Sequence, residues 1–299
     1  MEGEAASLHQ SVLLEECLEY LAPKSGGTYV DGTLGLGGHS EAILKKTLPD
    51  GRLIAFDWDE AAIVKSRFRL APFQGRFEIV HRNFGEIADG LDELGVTVID
   101  GLLIDIGLSS LQLDIGGRGF TFRKDEPLDM RMDTRRKETA ASILANCREE
   151  ELADIFYYYG EEKQARPIAR AVVEQRDKKP ILRSIELADL VARTIPGRFH
   201  PKRIHVATKV FQALRIAVNS ELENLAKILD EGVRFLRPGA RFCVISFHSL
   251  EDRMVKRKFK ENPLLRVVTK KPVVAKDKEL KLNKRARSAK LRVAERIAA

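Results

Sequence analysis

Over the first hundred residues, two hydrophobic periods alternate. Short apolar runs at 28–31 (TYVD), 52–57 (RLIAFD), 77–81 (FEIVH) and 101–105 (GLLID) have the length and composition of buried strands. Between them, residues 39–48, 60–70 and 84–94 place apolar side chains at helical spacing. Such alternation predicts a parallel, doubly wound sheet. After Asp105 the rhythm stops. Residues 107–133 are rich in glycine and charge and predict a long loop, while 138–218 have a helical period, broken near Pro180 and at Pro196-Gly197. The α/β rhythm resumes at Ser220-Glu-Leu-Glu223, whose spacing is that of a capping box, opening a helix that ends before Pro238-Gly239. A strand at 241–246 (RFCVIS), a basic helix at 250–260 and two short β-type runs at 265–269 and 290–294 follow. The expected organisation is an α/β domain formed by residues 1–112 and 214–299, interrupted after its fourth strand by a mainly helical domain, 113–213.

A chain of 299 residues, 44% hydrophobic and 32% charged, is long enough to bury a sizeable core. No stretch approaches the roughly 18 consecutive apolar residues of a membrane span. The first residues (MEGEAASLHQ) lack the apolar segment of a signal peptide. Cys17, Cys147 and Cys243 are odd in number and far apart, which argues against disulfides and a cysteine metal site and for a cytoplasmic protein. No His/Cys/carboxylate cluster has metal-ligand spacing. Charge is unevenly spread. From Lys256 onward there are sixteen Lys/Arg against four Asp/Glu, a balance of +12 in a chain of net +7, so the residues before Lys256 sum to −5. A basic region on an acidic body can steer a protein toward a polyanion, and a solvated tail gives the same pattern.

The strongest local signal is DGTLGLGGH (31–39), between a strand and a helix. Glycines there let the backbone approach a ligand, and the following helix offers free N–H groups. Twenty residues after Gly37, Asp57 ends the second strand, where a carboxylate can accept ribose hydroxyls. NAD, FAD and S-adenosylmethionine sites share these features. An acid, Asp31, ahead of the glycines and the D-x-x-x-G-x-G spacing favour S-adenosylmethionine, whose amino-acid end carries a cation. Thr33 stands where methyltransferases usually have glycine. Asp105 ends the fourth strand and faces the same crevice. Enzymes that methylate exocyclic amines commonly have Asp/Asn-Pro-Pro-aromatic here. This chain keeps only the acid, a candidate acceptor for the amine hydrogens.

Nine blocks resemble one family in order along the chain: HQSVLL (9–14), DGTLGLGGH (31–39), DIGLSSLQLD (105–114), RGFTF (118–122), PLDMRMD (127–133), YGE (159–161), FQALRIAVNSE (211–221), ISFHSLED (245–252) and RARS (285–288). They are similar to the MraW-type methyltransferases, which modify the exocyclic N4 of a cytosine in the decoding region of 16S ribosomal RNA of the small subunit. The resemblance implies a Rossmann-type class I methyltransferase fold with a helical insertion after the fourth strand. It implies S-adenosylmethionine as cofactor, held by Gly37, Gly38, His39, Asp57, Phe84, Asp105 and Gln112, with Phe84 beside the adenine. Leu111, Glu126, Val206 and Lys284 depart from the family pattern, Glu126 replacing a usual glycine and the others usual prolines.

RNA modified at a base edge must present an unstacked nucleotide, held by stacking and polar contacts. Arg118, Phe120, Phe122 and Arg123 interleave aromatics with cations as such a clamp requires, although a glycine loop tucking two phenylalanines into a core reads the same way. Lys202, Arg203, Arg285 and Arg287 add candidate phosphate contacts. Phe247 and His248 follow the fifth strand, which places His248 as a second catalytic candidate or a structural hydrogen-bonding residue. The expectation is a cytoplasmic rRNA methyltransferase, a monomer or homodimer without a membrane or metal. Its alternatives are a methyltransferase of another substrate, a non-catalytic Rossmann-fold assembly factor and, last, a dinucleotide oxidoreductase.

Overall fold

In a computed structural model, which describes residues 11–107 and 117–298, seven strands form one sheet in the order β3-β2-β1-β4-β5-β7-β6. The first described element is α1 (Leu14–Leu21). It precedes β1 (Thr28–Asp31), α2 (Gly38–Lys46), β2 (Arg52–Asp57), α3 (Glu60–Leu70), β3 (Phe77–His81), α4 (Ile87–Glu93) and β4 (Ile99–Asp105). Five helices follow among the described residues: α5 (Ala140–Asn146), α6 (Glu149–Asp154), α7 (Ala165–Arg176), α8 (Ser184–Thr194) and α9 (Thr208–Asn219). The chain then returns through α10 (Glu221–Glu231), β5 (Leu236–Ser246), α11 (Ser249–Glu261), β6 (Leu265–Val267), α12 (Asp277–Leu282) and β7 (Lys290–Arg296). Residues Met1–Ser109 with Leu222–Ala299 form one compact unit, and Ser110–Glu221 form a second.

In the first unit β1 to β5 run parallel, and β7 runs antiparallel between β5 and β6. This bears out the doubly wound α/β expectation. Strand periodicity sends alternate residues to opposite faces. Val30, Ile54, Phe56, Ile104 and Val244 join Ile87, Leu91, Leu225, Ile228 and Phe259 in one core layer. Tyr29, Leu53, Ala55, Leu103 and Ile245 join Cys17, Leu21, Ile43, Leu44 and Leu70 in the other. The strand order reverses between β1 and β4, and in such sheets ligands bind beyond the carboxyl ends at that point. Register brings those ends level: Asp31 lies opposite Ala55 and Leu103, Asp57 opposite His81, and Asp105 opposite Ile245.

Several expectations are corrected. The two β-type runs expected at the C-terminal end form strands, β6 and β7, so of the two readings of the basic region the solvated tail is set aside. The last strand is inside the sheet, with Leu291 and Val293 fully buried. Helix α12 was not foreseen, and β5 begins at Leu236, through the Pro238-Gly239 pair that marked a break. The run at 84–94 divides into a 3-10 turn at Phe84–Glu86 and α4. Ser220 has a left-handed φ of 50° closing α9, whereas a capping-box residue needs extended backbone.

In the second unit, α7 buries Ala165, Ile168, Ala169 and Val172 and α8 buries Leu187 and Val191. Asn219, fully buried near the end of α9, ties down the preceding loop. Its Nδ2 donates to the Met130 carbonyl at 2.8 Å and its Oδ1 accepts the Met132 N–H at 2.8 Å. Glu126, a departure from the family pattern, is buried here. Its carboxylate accepts the Gly119 N–H at 2.9 Å, and its own N–H donates to Ser184 Oγ at 3.0 Å.

Candidate active site

The turn after β1 is built by hydrogen bonds that leave little room for side chains. Gly32 N–H donates to the Leu103 carbonyl at 2.8 Å and Leu34 N–H to the Phe56 carbonyl at 2.9 Å. Gly37 has φ 76° and opens α2. A Cβ on Gly38 would lie 2.0 Å from Ser11 Oγ and 3.3 Å from Ser11 Cβ, so a side chain there would require the Ser11 hydroxyl to turn away. The buried Asp31 carboxylate accepts the Thr33 N–H at 3.1 Å and the Ser40 hydroxyl at 2.6 Å.

Asp57, at the end of β2, receives the Gly35 N–H at 2.7 Å on one oxygen and the Asp59 N–H at 2.9 Å on the other. Burial, reinforced by Asp59 and Asp31, outweighs these bonds and pushes its pKa up to about 6. Beside it, Trp58 meets Phe84 edge-on, with ring centroids 6.4 Å apart. Phe84 is buried in the core layer and starts a 3-10 turn held by a capping box: Asn83 Oδ1 accepts the Gly85 N–H at 2.6 Å and Glu86 accepts the Asn83 N–H at 3.1 Å. The single tryptophan carried no spacing signal. Only its place after a strand-ending acid could have marked it.

Asp105 ends β4 with 20% of its side chain open to solvent. Its N–H donates to Thr33 Oγ1 at 2.6 Å and its Oδ1 accepts the Gly107 N–H at 3.1 Å. Thr33, the apparent mismatch in the glycine turn, thus links that turn to Asp105. His39 Nε2 must donate to the Val12 carbonyl, at 3.0 Å, because a carbonyl only accepts. That leaves Nδ1 facing Asp105 Oδ2 at 3.9 Å. Burial raises the pKa of both Asp31 and Asp105; His39 opposes the shift at each, and Asp31 adds to the rise at Asp105.

Phe247, beyond β5, crowds Gly107. A Cβ there would lie 2.7 Å from its ring and 3.1 Å from Asp105 Oδ1, so the ring and the carboxylate flank one glycine. Glu251, fully buried, accepts the N–H groups of Phe247 at 2.8 Å and His248 at 3.2 Å. His248 caps α11, its Nδ1 taking the Glu251 N–H at 3.4 Å. Its Nε2 lies 2.9 Å from Glu251 Oε1 without forming a hydrogen bond. Both ring nitrogens of His248 therefore face its own helix, which is the geometry of a positioning residue. Gln112 lies outside the described residues.

The expected RNA contacts are placed unevenly. Arg118 donates to the carbonyls of Arg131 at 3.2 Å and Met132 at 3.3 Å and lies over the ring of Phe120. Phe120 is buried, which corrects its expected role as a stacking ring. Phe122 packs on His205 and Phe211, with ring centroids at 4.6 and 4.9 Å. Arg123, Lys202, Arg203 and Arg287 are exposed and Arg285 is half-buried. No helix among the described residues is long and apolar enough to cross a membrane.

With this geometry in place, the sequence matches the MraW methylase family over residues 6–297. The chain belongs to the MraW methylase family. Its curated relatives include the ribosomal RNA small subunit methyltransferase H of Desulfotalea psychrophila, 64% identical over 98% of this chain and 100% of that protein. A protein of the same name from Trichlorobacter lovleyi is 49% identical, over 97% of this chain and 98% of its own length. Among solved structures, the chain is similar to a SAM-dependent O-methyltransferase from Thermotoga maritima, with a TM-score of 0.44 and 11% identity, covering 96% of this chain and 65% of that one. The resemblance read from the nine sequence blocks is thereby borne out, and with it the assignment as an S-adenosylmethionine-dependent methyltransferase.

The residues present fit that cofactor. Asp31, Asp57 and Asp105 are each pushed up by burial, and Asp31 further raises the other two. Three carboxylates gathered at the ends of adjacent strands favour a ligand bearing a cation and disfavour a pyrophosphate. The turn carries glycines at positions 32, 35, 37 and 38 and leads into the N-terminus of α2, which leaves its backbone unshielded by side chains for a ligand.

Proposed function

We propose that this protein transfers a methyl group from S-adenosylmethionine to the exocyclic N4 of a cytosine in the decoding region of 16S ribosomal RNA. The ribosomal RNA small subunit methyltransferases among its relatives support the RNA. The observation that carries the chemistry is Asp105: a carboxylate at the switch point of the sheet, part-open to solvent, fixed by Gly107 and Thr33 and flanked by an aromatic ring. A cytoplasmic monomer or homodimer is the proposed working form.

S-Adenosylmethionine supplies a methyl group on a sulfonium, an activated donor that leaves the protein mainly the task of orientation. Asp57 takes the ribose hydroxyls on the lone pairs its two backbone bonds leave open, and Trp58 and Phe84 form the apolar side of the adenine pocket. Gly37, Gly38 and His39 line the amino-acid end, and the family resemblance adds Gln112. Asp105 accepts an N–H of the target amine, which draws the nitrogen lone pair out of conjugation with the ring. It then takes the proton that the alkylated nitrogen loses. Phe247 offers its ring to the extruded base. His248 holds the turn after β5 in place. Arg123, Lys202, Arg203, Arg285 and Arg287 meet RNA phosphates, with Arg118 and Phe122 supporting the loop around Arg123.

The test is incubation with methyl-labelled S-adenosylmethionine and undermethylated small ribosomal subunits, followed by nuclease digestion and nucleoside mass analysis. Label in N4-methylcytidine from 16S rRNA is expected. Label only in protein, or in another nucleoside, overturns the proposal.

A further inference from the structure

The surface cations of the α/β unit fall into two populations. Many are neutralised by a carboxylate: Lys45 and Arg69 by Glu41, Lys258 by Asp230, and Lys290 by Asp252. By contrast Lys256, Arg257 and Lys260 are exposed and, among the described residues, pair with no acid. Helical geometry explains their grouping. α11 turns Glu251, Val255 and Phe259 into the core at four-residue spacing, so positions 256, 257 and 260 point away from it.

These cations rim an open groove of about 570 Å³ whose floor is Leu222 from α10 with Leu250 and Met254 from α11. The one acid on the rim is Glu261. An apolar floor with a cationic edge suits a ligand that alternates flat apolar faces with negative charges. Single-stranded RNA has that character, its bases exposing π-faces and its backbone one charge per nucleotide. The groove lies along the helix that leads away from the proposed site. α11 starts two residues after Phe247, which shares Gly107 with Asp105, and its 13 residues rise about 20 Å.

We infer that this groove binds the RNA strand flanking the target nucleotide, with phosphates on Lys256, Arg257 and Lys260 and a base against Leu222, Leu250 and Met254. The inference rests on the reading of RNA as substrate, and it is tested by binding alone. Fluorescence anisotropy with a labelled 12-nucleotide single-stranded RNA is measured on the full chain over a range of KCl. A Lys256→Gln, Arg257→Gln, Lys260→Gln variant is compared with a control of equal charge change, Lys46→Gln, Lys65→Gln, Arg67→Gln, on α2 and α3.

The α11 variant is expected to bind at least about tenfold more weakly near 0.1 M salt. Its log–log salt slope should fall by about 2, from three phosphate contacts at about 0.7 each. The control should change less than about twofold. Met254→Ala should weaken binding several-fold with the slope unchanged, and no effect of that substitution removes the base from the floor. Calorimetric binding of S-adenosylhomocysteine should match the unmodified protein in every variant, showing each is folded. An unaltered affinity and slope in the α11 variant, or an equal loss in the control, overturns the inference. Absence of methyl label in rRNA would instead sink the proposed reaction, whatever the anisotropy shows.

Discussion

Asp57 links cofactor binding to folding with opposite signs, and the size of both effects follows from its pKa. Moving a carboxyl pKa from 3.8 to about 6 on folding costs about 3 kcal/mol of stability at pH 7 and about 1.5 kcal/mol at pH 5. Because the folded pKa is the higher one, the folded state binds more protons than the unfolded chain between these values. This group's contribution to the ligand-free protein therefore improves as the pH falls. The ribose needs the ionised form, so affinity for S-adenosylhomocysteine should move the other way. Relative to pH 8 it should fall about twofold at pH 6 and about tenfold at pH 5. Asp31 and Asp105 titrate in the same sense, whereas the ion-paired Asp129 and Asp252, held low by Arg131 and by Arg292 and Lys290, titrate oppositely. The comparison that isolates the residue is the unmodified protein against Asp57→Asn. Urea unfolding from pH 5 to 7 should show a difference between them that shifts by about 1.5 kcal/mol. Titration calorimetry should show weaker binding by the variant with the Asp57 component of the pH dependence gone. Parallel profiles for the two proteins, in either assay, refute the reasoning.

Three further outcomes follow from single contacts. Thr33→Val keeps the volume but strips the acceptor from the Asp105 N–H, leaving a partly buried donor unsatisfied at about 1–3 kcal/mol. The methyl-transfer rate should drop while S-adenosylhomocysteine affinity holds, and Thr33→Ser should restore it. Gly38→Ala sets its new methyl against Ser11, whose hydroxyl must turn away, and should lower stability by up to about 1 kcal/mol. The Ser11→Ala, Gly38→Ala double variant should recover much of that loss in thermal unfolding. Asn219→Ala removes the bonds to Met130 and Met132, about 2–4 kcal/mol for two buried hydrogen bonds. Limited proteolysis should then cut the 117–137 region faster.

The first three strands were legible to the residue because each is a short apolar run ending in a turn signal, and Asp57 and Asp105 were legible because they end such runs. What stayed hidden depends on contacts between distant residues. Thr33 and Asp105 are 72 positions apart, so a mismatch in the glycine turn gave no hint that its hydroxyl holds the end of β4. Phe247 reaches Gly107 only because β4 and β5 pair in register. The β-type run at 290–294 was legible, but counting charges cannot show that β7 inserts antiparallel between β5 and β6, or that Asp252 neutralises Lys290 and Arg292. Phe120 in a glycine-rich basic loop has the composition of a stacking clamp. Its burial depends on how that loop folds, which composition does not specify.

Single-turnover methyl transfer to small ribosomal subunits by Asp105→Ala and Asp105→Asn, beside the unmodified protein and with cofactor saturating, is the most direct measurement. The account predicts at least about a hundredfold slower transfer for Asp105→Ala, the lower end for a lost proton acceptor. Asp105→Asn, which can still accept one hydrogen bond but cannot take the proton, should fall between. Transfer at the unmodified rate by the alanine variant would contradict the role given to that carboxylate.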